Sequence, residues 1–267
     1  MQTLHVLTYN IHKGFPQFQR RVSLHELRER LVSVEPDLVF LQEVVGFHAR
    51  FARRHNAWPT TPQYEFLADA VWRDFAYGRN AVVDDAHHGN AILSKFPILR
   101  WDNEDVSMHR LERRGLLHCE IEVPGWSQTL HAINVHLGLL QTWRERQLDA
   151  LISRIERLVP RDAPLIVAGD FNDWTRRATR YLVRALGVSE VFETVGRAPA
   201  RSFPAMLPVL RLDRIYVRGF RIKLAHVHRG PQWARVSDHA ALSALLTRES
   251  APAGRRRRQA QDAATST

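Results

Sequence analysis

The sequence predicts an α/β chain of mixed β-sheets with helices outside, and three observations carry that reading. Short runs of branched residues, such as Leu38–Leu41 and Leu165–Ala168, end abruptly in polar side chains or at Pro and Gly, as buried strands do. Apolar residues at helical spacing separate several of these runs, for example Leu24, Leu27, Leu31 and Val34. Strand-like runs at 116–123 and 129–137 face each other across a Pro124-Gly125 turn, which reads as an antiparallel hairpin. Direct strand-to-strand steps argue against a plain parallel doubly wound sheet.

In chain order, residues 4–11 form the first strand, broken by Gly14, Phe15 and Pro16. Ser23 with Glu26 three residues later has the spacing of a capping box, and Pro36 stops the helix it opens. Residues 37–44 are the next strand, ending in Gln42 and Glu43. Residues 47–55 read as a basic helix and 64–71 as another. Strands at 75–83 and 90–94 flank a turn holding Asp84, Asp85, His87, His88 and Gly89. After the hairpin, Leu148, Leu151, Ile152, Ile155 and Leu158 mark a helix, and Pro160 and Pro164 lead into the strand at 165–170. A helix from about 174–176 to Leu186, an irregular stretch at 196–211, and strands at 212–217, 221–228 and 240–246 complete the reading. Residues 249–267, with Arg255–Arg258, are poor in apolar side chains and read as a disordered basic tail behind a catalytic domain spanning 1–248.

With 267 residues, 45% of them apolar, the chain is long enough to bury a large core. Its single cysteine, Cys119, excludes an intrachain disulfide and a cysteine-based zinc site. The first strand starts too early for a signal peptide, and no apolar run approaches the ~20 residues of a membrane span. A cytoplasmic, monomeric protein is expected. The formal charge is +10; from Arg248 onward five Arg oppose Glu249 and Asp262, so +7 belongs to residues 1–247. A basic fold favours a polyanionic partner: nucleic acid, a nucleotide phosphate or an anionic phospholipid surface.

The segment Leu165-Ile166-Val167-Ala168-Gly169-Asp170-Phe171-Asn172 organises the rest. A carboxylate at the end of a buried strand is costly unless it is paired or acts on a ligand. Strand alternation would set Asp170 and Asn172 on one side, although either residue also suits a helix cap. Asn10, Glu43, His136, Asp213 and the pair Asp238-His239 likewise adjoin apolar runs. Gathered on one rim, such carboxylates repel and raise each other's pKa. A divalent cation relieves that repulsion, and oxygen donors suit Mg²⁺ or Mn²⁺. Taken singly, each residue has a plainer reading: Glu43 a surface acid, Asn10 a turn residue, Asp213-Arg214 a local ion pair, His12 and Lys13 solvated loop side chains. His87-His88 does not have metal-ligand spacing, because adjacent strand residues point apart.

Tyr9-Asn10-Ile11, Leu41-Gln42-Glu43, Gly89–Ser94, Asn134-Val135-His136-Leu137, Gly169–Asn172, Leu212–Ile215 and Ser237-Asp238-His239 occur in one order along the chain. That order resembles the endonuclease/exonuclease/phosphatase superfamily, the DNase I-like group, over residues 4 to about 246. The resemblance is greatest to bacterial members of unassigned substrate, and the motifs of the abasic-site endonucleases are missing. It implies a four-layer α/β sandwich of two face-to-face mixed sheets with helices on both outer sides. It also implies metal-dependent hydrolysis of a phosphodiester or phosphomonoester by in-line attack of water.

Carried over by residue, the resemblance makes Glu43, Asn10 and Asp238 metal ligands for Mg²⁺, with Mn²⁺ as alternative. Asp170 would orient and deprotonate the water, and Asn172 would hold that water or a phosphate oxygen. His239, oriented by Asp213, would stabilise the phosphoryl oxygens. His136 would contact phosphate or protonate the leaving oxygen, and Asn90 would lie near the phosphate. Nucleic acid is the expected substrate, supported by the arginines at 144–157 and 173–184; a phospholipid or its head group is the alternative. A non-catalytic binding module of the same fold is a third reading, disfavoured because Glu43, His136, Asp170 and His239 are all present.

Overall fold

A computed structural model describes residues 3–14, 23–48, 58–69, 71–83, 86–110 and 112–249. The chain begins with β1 (Thr3–Asn10), a 3-10 turn (His12–Gly14), α1 (Leu24–Val34) and β2 (Leu38–His48). It continues through α2 (Gln63–Ala68), β3 (Asp74–Val83), β4 (Ala86–Ser94), β5 (Ile98–Asp105), β6 (Gly115–Ile121) and β7 (Leu130–His136). Then come α3 (Gln141–Leu158), β8 (Leu165–Asp170), α4 (Arg177–Leu186), β9 (Ser189–Glu190) and α5 (Val191–Gly196). The last elements are β10 (Asp213–Arg218), β11 (Phe220–His228), α6 (Pro231–Ala234) and β12 (Ala241–Arg248).

The strands form two six-stranded sheets, ordered β11-β12-β1-β2-β4-β3 and β5-β6-β7-β8-β10-β9. Each sheet holds one parallel pair, β1/β2 and β7/β8, bridged by α1 and α3; the other pairings are antiparallel. Alternation along each strand sorts the side chains into layers. Val6, Phe40 and Ile92 from the first sheet meet Leu117, Cys119, Ile166 and Ile215 from the second in a central core. On the outside of the first sheet, Leu7 and Leu41 pack with Leu24, Leu27 and Leu31 of α1. Outside the second, Ile133 and Val167 pack with Leu148, Leu151 and Ile155 of α3 and Leu182 of α4. This is the expected four-layer sandwich.

Several local expectations are corrected. Phe47 and His48 extend β2 and are not helical, and residues 49–57 of the expected helix lie outside the described residues. Residues 86–89 belong to β4, so the turn before them is shorter than expected. Ser23 does not cap α1 with its side chain. Its hydroxyl instead donates to the carbonyls of Gly14 and Val236, tying the 3-10 turn to the segment before β12. Strand β5, β9 and helices α5 and α6 were not read from the sequence; β5 is exposed along most of its length and lacks an apolar run. Residues of the expected tail from 250 onward lie outside the described residues. Among the described residues no helix is long and apolar enough to cross a membrane.

One buried histidine pair disfavours the folded state in acid. His118 Nε2 and His131 Nδ1 lie 3.0 Å apart on β6 and β7, both buried. Burial, with His131 and Arg154 nearby, pushes His118 down to about 4, against Glu120 and Asp102. Burial lowers His131 too. The unfolded chain binds these protons near 6.5, whereas the native state resists them. The resulting stability is complete above that pH and is lost as pH falls from 6.5 toward about 4. Urea midpoints measured across this window should fall, and His118→Leu should flatten the slope; an unchanged slope would count against the buried neutral pair.

Candidate active site

Both parallel pairs point their carboxyl ends the same way, and the site lies there, where open α/β sheets bind ligands. Asn10 and Gln42 are register partners at the end of β1/β2, and His136 and Asp170 at the end of β7/β8. Asp213, first residue of β10, pairs directly with Asp170. Close approach of β7 and β8 requires Gly169, which has φ of 144°; a Cβ there would stand 2.0 Å from the Val135 carbonyl oxygen.

Asp170 is the hub. Its Oδ2 accepts from Asn10 Nδ2 at 3.1 Å and lies 3.7 Å from His136 Nε2 and 3.8 Å from His239 Nε2. Its Oδ1 accepts the Asn172 backbone N–H at 2.9 Å. Burial, and then the facing Asp213 carboxylate, raise the pKa of Asp170, while His239 and the bonds from Asn172 and Asn10 oppose the rise. Asp213 Oδ2 holds His239 Nδ1 at 2.8 Å. Burial disfavours the His239 imidazolium, but the Asp213 charge and hydrogen bond outweigh it and raise the pKa. His136 goes the other way: burial, Arg114 and His239 hold it well below the usual histidine range. The two imidazoles are thus shifted in opposite directions, and the His136 ring offers an N–H to a phosphate oxygen.

The loop after β8 differs from the alternation expected for it. Asn172 adopts φ of 49°, so a tight turn, not an extended strand, brings it beside Asp170. One amide hydrogen of Asn172 is engaged by the Leu137 carbonyl at 2.9 Å. The cap of α4 is neither Asp170 nor Asn172. Asp173 accepts from the Ala178 N–H at 2.7 Å and from Thr175, leaving Asp170 to the site.

Glu43 reaches the rim through a β-bulge. Leu41 pairs with Ala91 and Val44 with Gly89, so Gln42 and Glu43 together oppose Asn90; such bulges re-aim a side chain. Glu43 has φ of 56°, and His12 and Lys13 are also left-handed, a strain that concentrates at functional sites. Lys13 Nζ lies 3.9 Å from Glu43, and His12 Nδ1 3.8 Å from Asp238 Oδ1. The solvated-loop reading of His12 and Lys13 is thereby corrected: both face the rim carboxylates. Ser237 links the two halves, donating to the Asn10 carbonyl at 2.6 Å and accepting the His239 N–H.

Asn90 is fully buried, with its amide nitrogen donating to the carbonyls of Gly115 and Asn134 and its Oδ1 without a hydrogen-bond partner, so it braces the two sheets. Asn134 acts similarly, donating to the Leu41 and Ala91 carbonyls at 2.8 Å and accepting from Gln42 at 2.7 Å. Arg214 is fully buried and makes no ion pair with Asp213; it donates to the carbonyls of Arg211, Asp213 and Asp173. An arginine within an apolar strand was the available signal, because a buried guanidinium needs several acceptors.

The oxygen donors fit a hard divalent cation. The Asn10 amide nitrogen is committed to Asp170, which turns Oδ1 toward the His12 N–H and leaves it a second lone pair. Glu43 and Asp238 are both partly exposed at the rim. The three acidic or imidazole side chains with metal-like spacing among the described residues are Asp170, Asp213 and His239. There the Asp213 hydrogen bond engages His239 Nδ1, so only Nε2 of that ring faces Asp170.

The sequence pattern of the Endonuclease/Exonuclease/phosphatase family matches residues 7–239. The chain belongs to this family. The endonuclease/exonuclease/phosphatase family includes phosphodiesterases, nucleases and phosphatases, and its enzymes generally use divalent metals. A relative from Escherichia coli K12, uncharacterized protein YbhP, is 47% identical over 241 residues, covering 90% of this chain and 95% of that one. An endonuclease/exonuclease/phosphatase from Beutenbergia cavernae superposes with a TM-score of 0.75 at 19% identity, covering 95% of this chain and 73% of that one. TDP2 of D. rerio, solved with a single-strand DNA product, gives 0.70 at 20% identity over 92% of this chain and 100% of that one. The human Nocturnin catalytic domain, with bound sulfate, gives 0.73 at 16% identity over 92% and 94%. At these identities the structures share the fold of the family member described above.

Proposed function

We propose that this chain is a Mg²⁺-dependent phosphoesterase that cleaves a phosphodiester by in-line attack of water. The observation that carries the reading is the Asp170 carboxylate, whose Oδ2 is ringed by Asn10, His136 and His239 while Asp213 backs His239. A carboxyl group of raised pKa is suited to take a proton from water near neutral pH. Asn10 and the Asn172 backbone N–H fix its rotamer, and the second amide hydrogen of Asn172 would hold the water. His239, kept as a donor by Asp213, would hydrogen-bond a phosphoryl oxygen as its charge grows. His136 would donate to a second phosphate oxygen or to the leaving oxygen. Glu43, Asp238 and Asn10 Oδ1 would hold the cation, with Lys13 beside Glu43. When bound, Mg²⁺ supplies charge neutralisation at phosphate oxygen.

The same geometry weighs on the choice between nucleic acid and phospholipid. Of the arginines that favoured nucleic acid, Arg144 and Arg154 are buried, Arg154 on Asp102 and Glu104. Charge alone does not separate the two polyanions.

The test is turnover of bis-p-nitrophenyl phosphate against free Mg²⁺ for wild type and Glu43→Gln. Wild type should saturate with Mg²⁺ and stop in excess chelator. The variant should need about 10–100-fold more Mg²⁺, the range over which a site's groups alter metal affinity. Equal Mg²⁺ demand would remove Glu43 from the ligand set, and turnover unaffected by chelator would overturn the metal-dependent reading.

A further inference from the structure

The loops around the site carry exposed apolar side chains that nothing in its chemistry requires. Met206 and Leu207 are 76% and 73% exposed, Leu139 and Leu140 59% and 52%, Trp174 50% and Met108 37%. They come from four loops, and each loop is tied to the catalytic groups. The loop carrying Met206 and Leu207 is fastened to Asp238 by the Ala205 N–H and to Asp213 by Ser202, and its Phe203 ring lies 5.1 Å from that of His239. Leu139 and Leu140 stand three and four residues after His136, and Trp174 follows Asn172 and Asp173. Arg144 joins these two loops, donating to Gly138 and Leu139 carbonyls with its guanidinium 5.1 Å from the Trp174 ring. Glu112, in the loop of Met108, accepts the Leu139 N–H at 3.0 Å.

The charge of these loops is mainly positive. Segments 107–114, 138–140, 174–177 and 201–211 contain seven arginines and one acid, Glu112; Arg114 is salt-bridged to Glu112, and Arg113, Arg176 and Arg177 pair with Asp105, Glu193 and Glu145 outside them. Exposed apolar side chains rimmed by cations are the composition of a surface that enters the head-group region of an anionic bilayer. Single-stranded nucleic acid would use the same cations, but it needs aromatic faces on which bases stack. Here seven of the eight exposed large apolar residues in these segments are Met, Leu or Val, and one, Trp174, is aromatic.

We propose that this rim docks the chain on an anionic phospholipid surface, with Met206 and Leu207 entering the head-group layer and the arginines meeting lipid phosphates. The docked site then opens onto the bilayer. This deepens the phosphoesterase reading, since it specifies where that site would meet its ester, but docking itself does not depend on turnover.

The test is sedimentation of the full chain with vesicles of phosphatidylcholine alone or mixed with phosphatidylglycerol, for wild type and the double variant M206S/L207S. Circular dichroism checks that the variant is folded, and bis-p-nitrophenyl phosphate turnover by wild type is measured in parallel. The expected result is binding that requires phosphatidylglycerol and weakens at least tenfold in the double variant. No binding, or equal binding by wild type and variant, would overturn the proposal; the latter would assign attachment to charge elsewhere. Binding to a single-stranded oligonucleotide that the same substitutions weaken, without vesicle binding, would overturn it in favour of nucleic acid. Failure of turnover with vesicle binding intact would count against the phosphoesterase reading alone.

Discussion

Asp170→Asn should reduce turnover of a soluble phosphodiester by about 10²–10⁴-fold, the usual contribution of a positioned general base. The substitution keeps the size of the side chain and removes its basicity. Its effect on stability should be small. Asp170 is buried and opposes Asp213 across the β8–β10 ladder, and that burial and repulsion raise its pKa. Removing the charge relieves both, while the new amide NH2 must face the Asn10 or the Asn172 donor, so the thermal midpoint should stay close to that of wild type. Strain of this kind is characteristic of residues kept for activity and not for stability. Steady-state kinetics with a melting curve on the same preparation checks both. A variant that turns over normally would remove Asp170 from the reaction, and one that melts much lower would make it a structural residue.

Asp213→Asn should lower kcat by about 10²-fold or more with little change in KM, the behaviour of a group that orients a catalytic imidazole. Asp213 acts through the 2.8 Å bond to His239 Nδ1 and is a positioning residue. Its effect should therefore vanish when the imidazole is absent. The double variant Asp213→Asn/His239→Ala should turn over no more slowly than His239→Ala alone. Multiplying losses would mean that Asp213 serves substrate or metal directly.

The residue types of the site were legible because each one interrupts an apolar run. A carboxylate after Leu165–Gly169, or an imidazole after Leu130–Val135, is costly in a core, so its position is informative. What was not legible is how the backbone turns at those positions. Strand alternation placed Asn172 beside Asp170 for the wrong reason; the left-handed turn at Asn172 does it. The bulge at Gln42-Glu43 needs the partner register with β4, which no local pattern contains. Asn90 read as a phosphate contact because its motif adjoins the site in the family resemblance. Only the packing of the second sheet reveals that Gly115 and Asn134 engage it. Arginines were the least legible. Spacing along α3 does not distinguish buried Arg154, held by acids on β5, from solvent-facing Arg146 and Arg157.

The apolar rim is not legible in the sequence for a related reason. Met206, Leu207 and Leu139 lie in separate loops far apart in the chain, and singly exposed apolar residues are ordinary. They become a surface only when Ser202, Arg144 and Glu112 bring those loops together around the site.

The most direct test of the account is a single turnover of a phosphodiester in heavy-oxygen water with Mg²⁺ present. Water attack on phosphorus predicts one heavy oxygen in the phosphomonoester product and none in the released alcohol or phenol, with the reaction absent in Asp170→Asn. Label in the leaving group, or the same labelling and rate in Asp170→Asn, would contradict it.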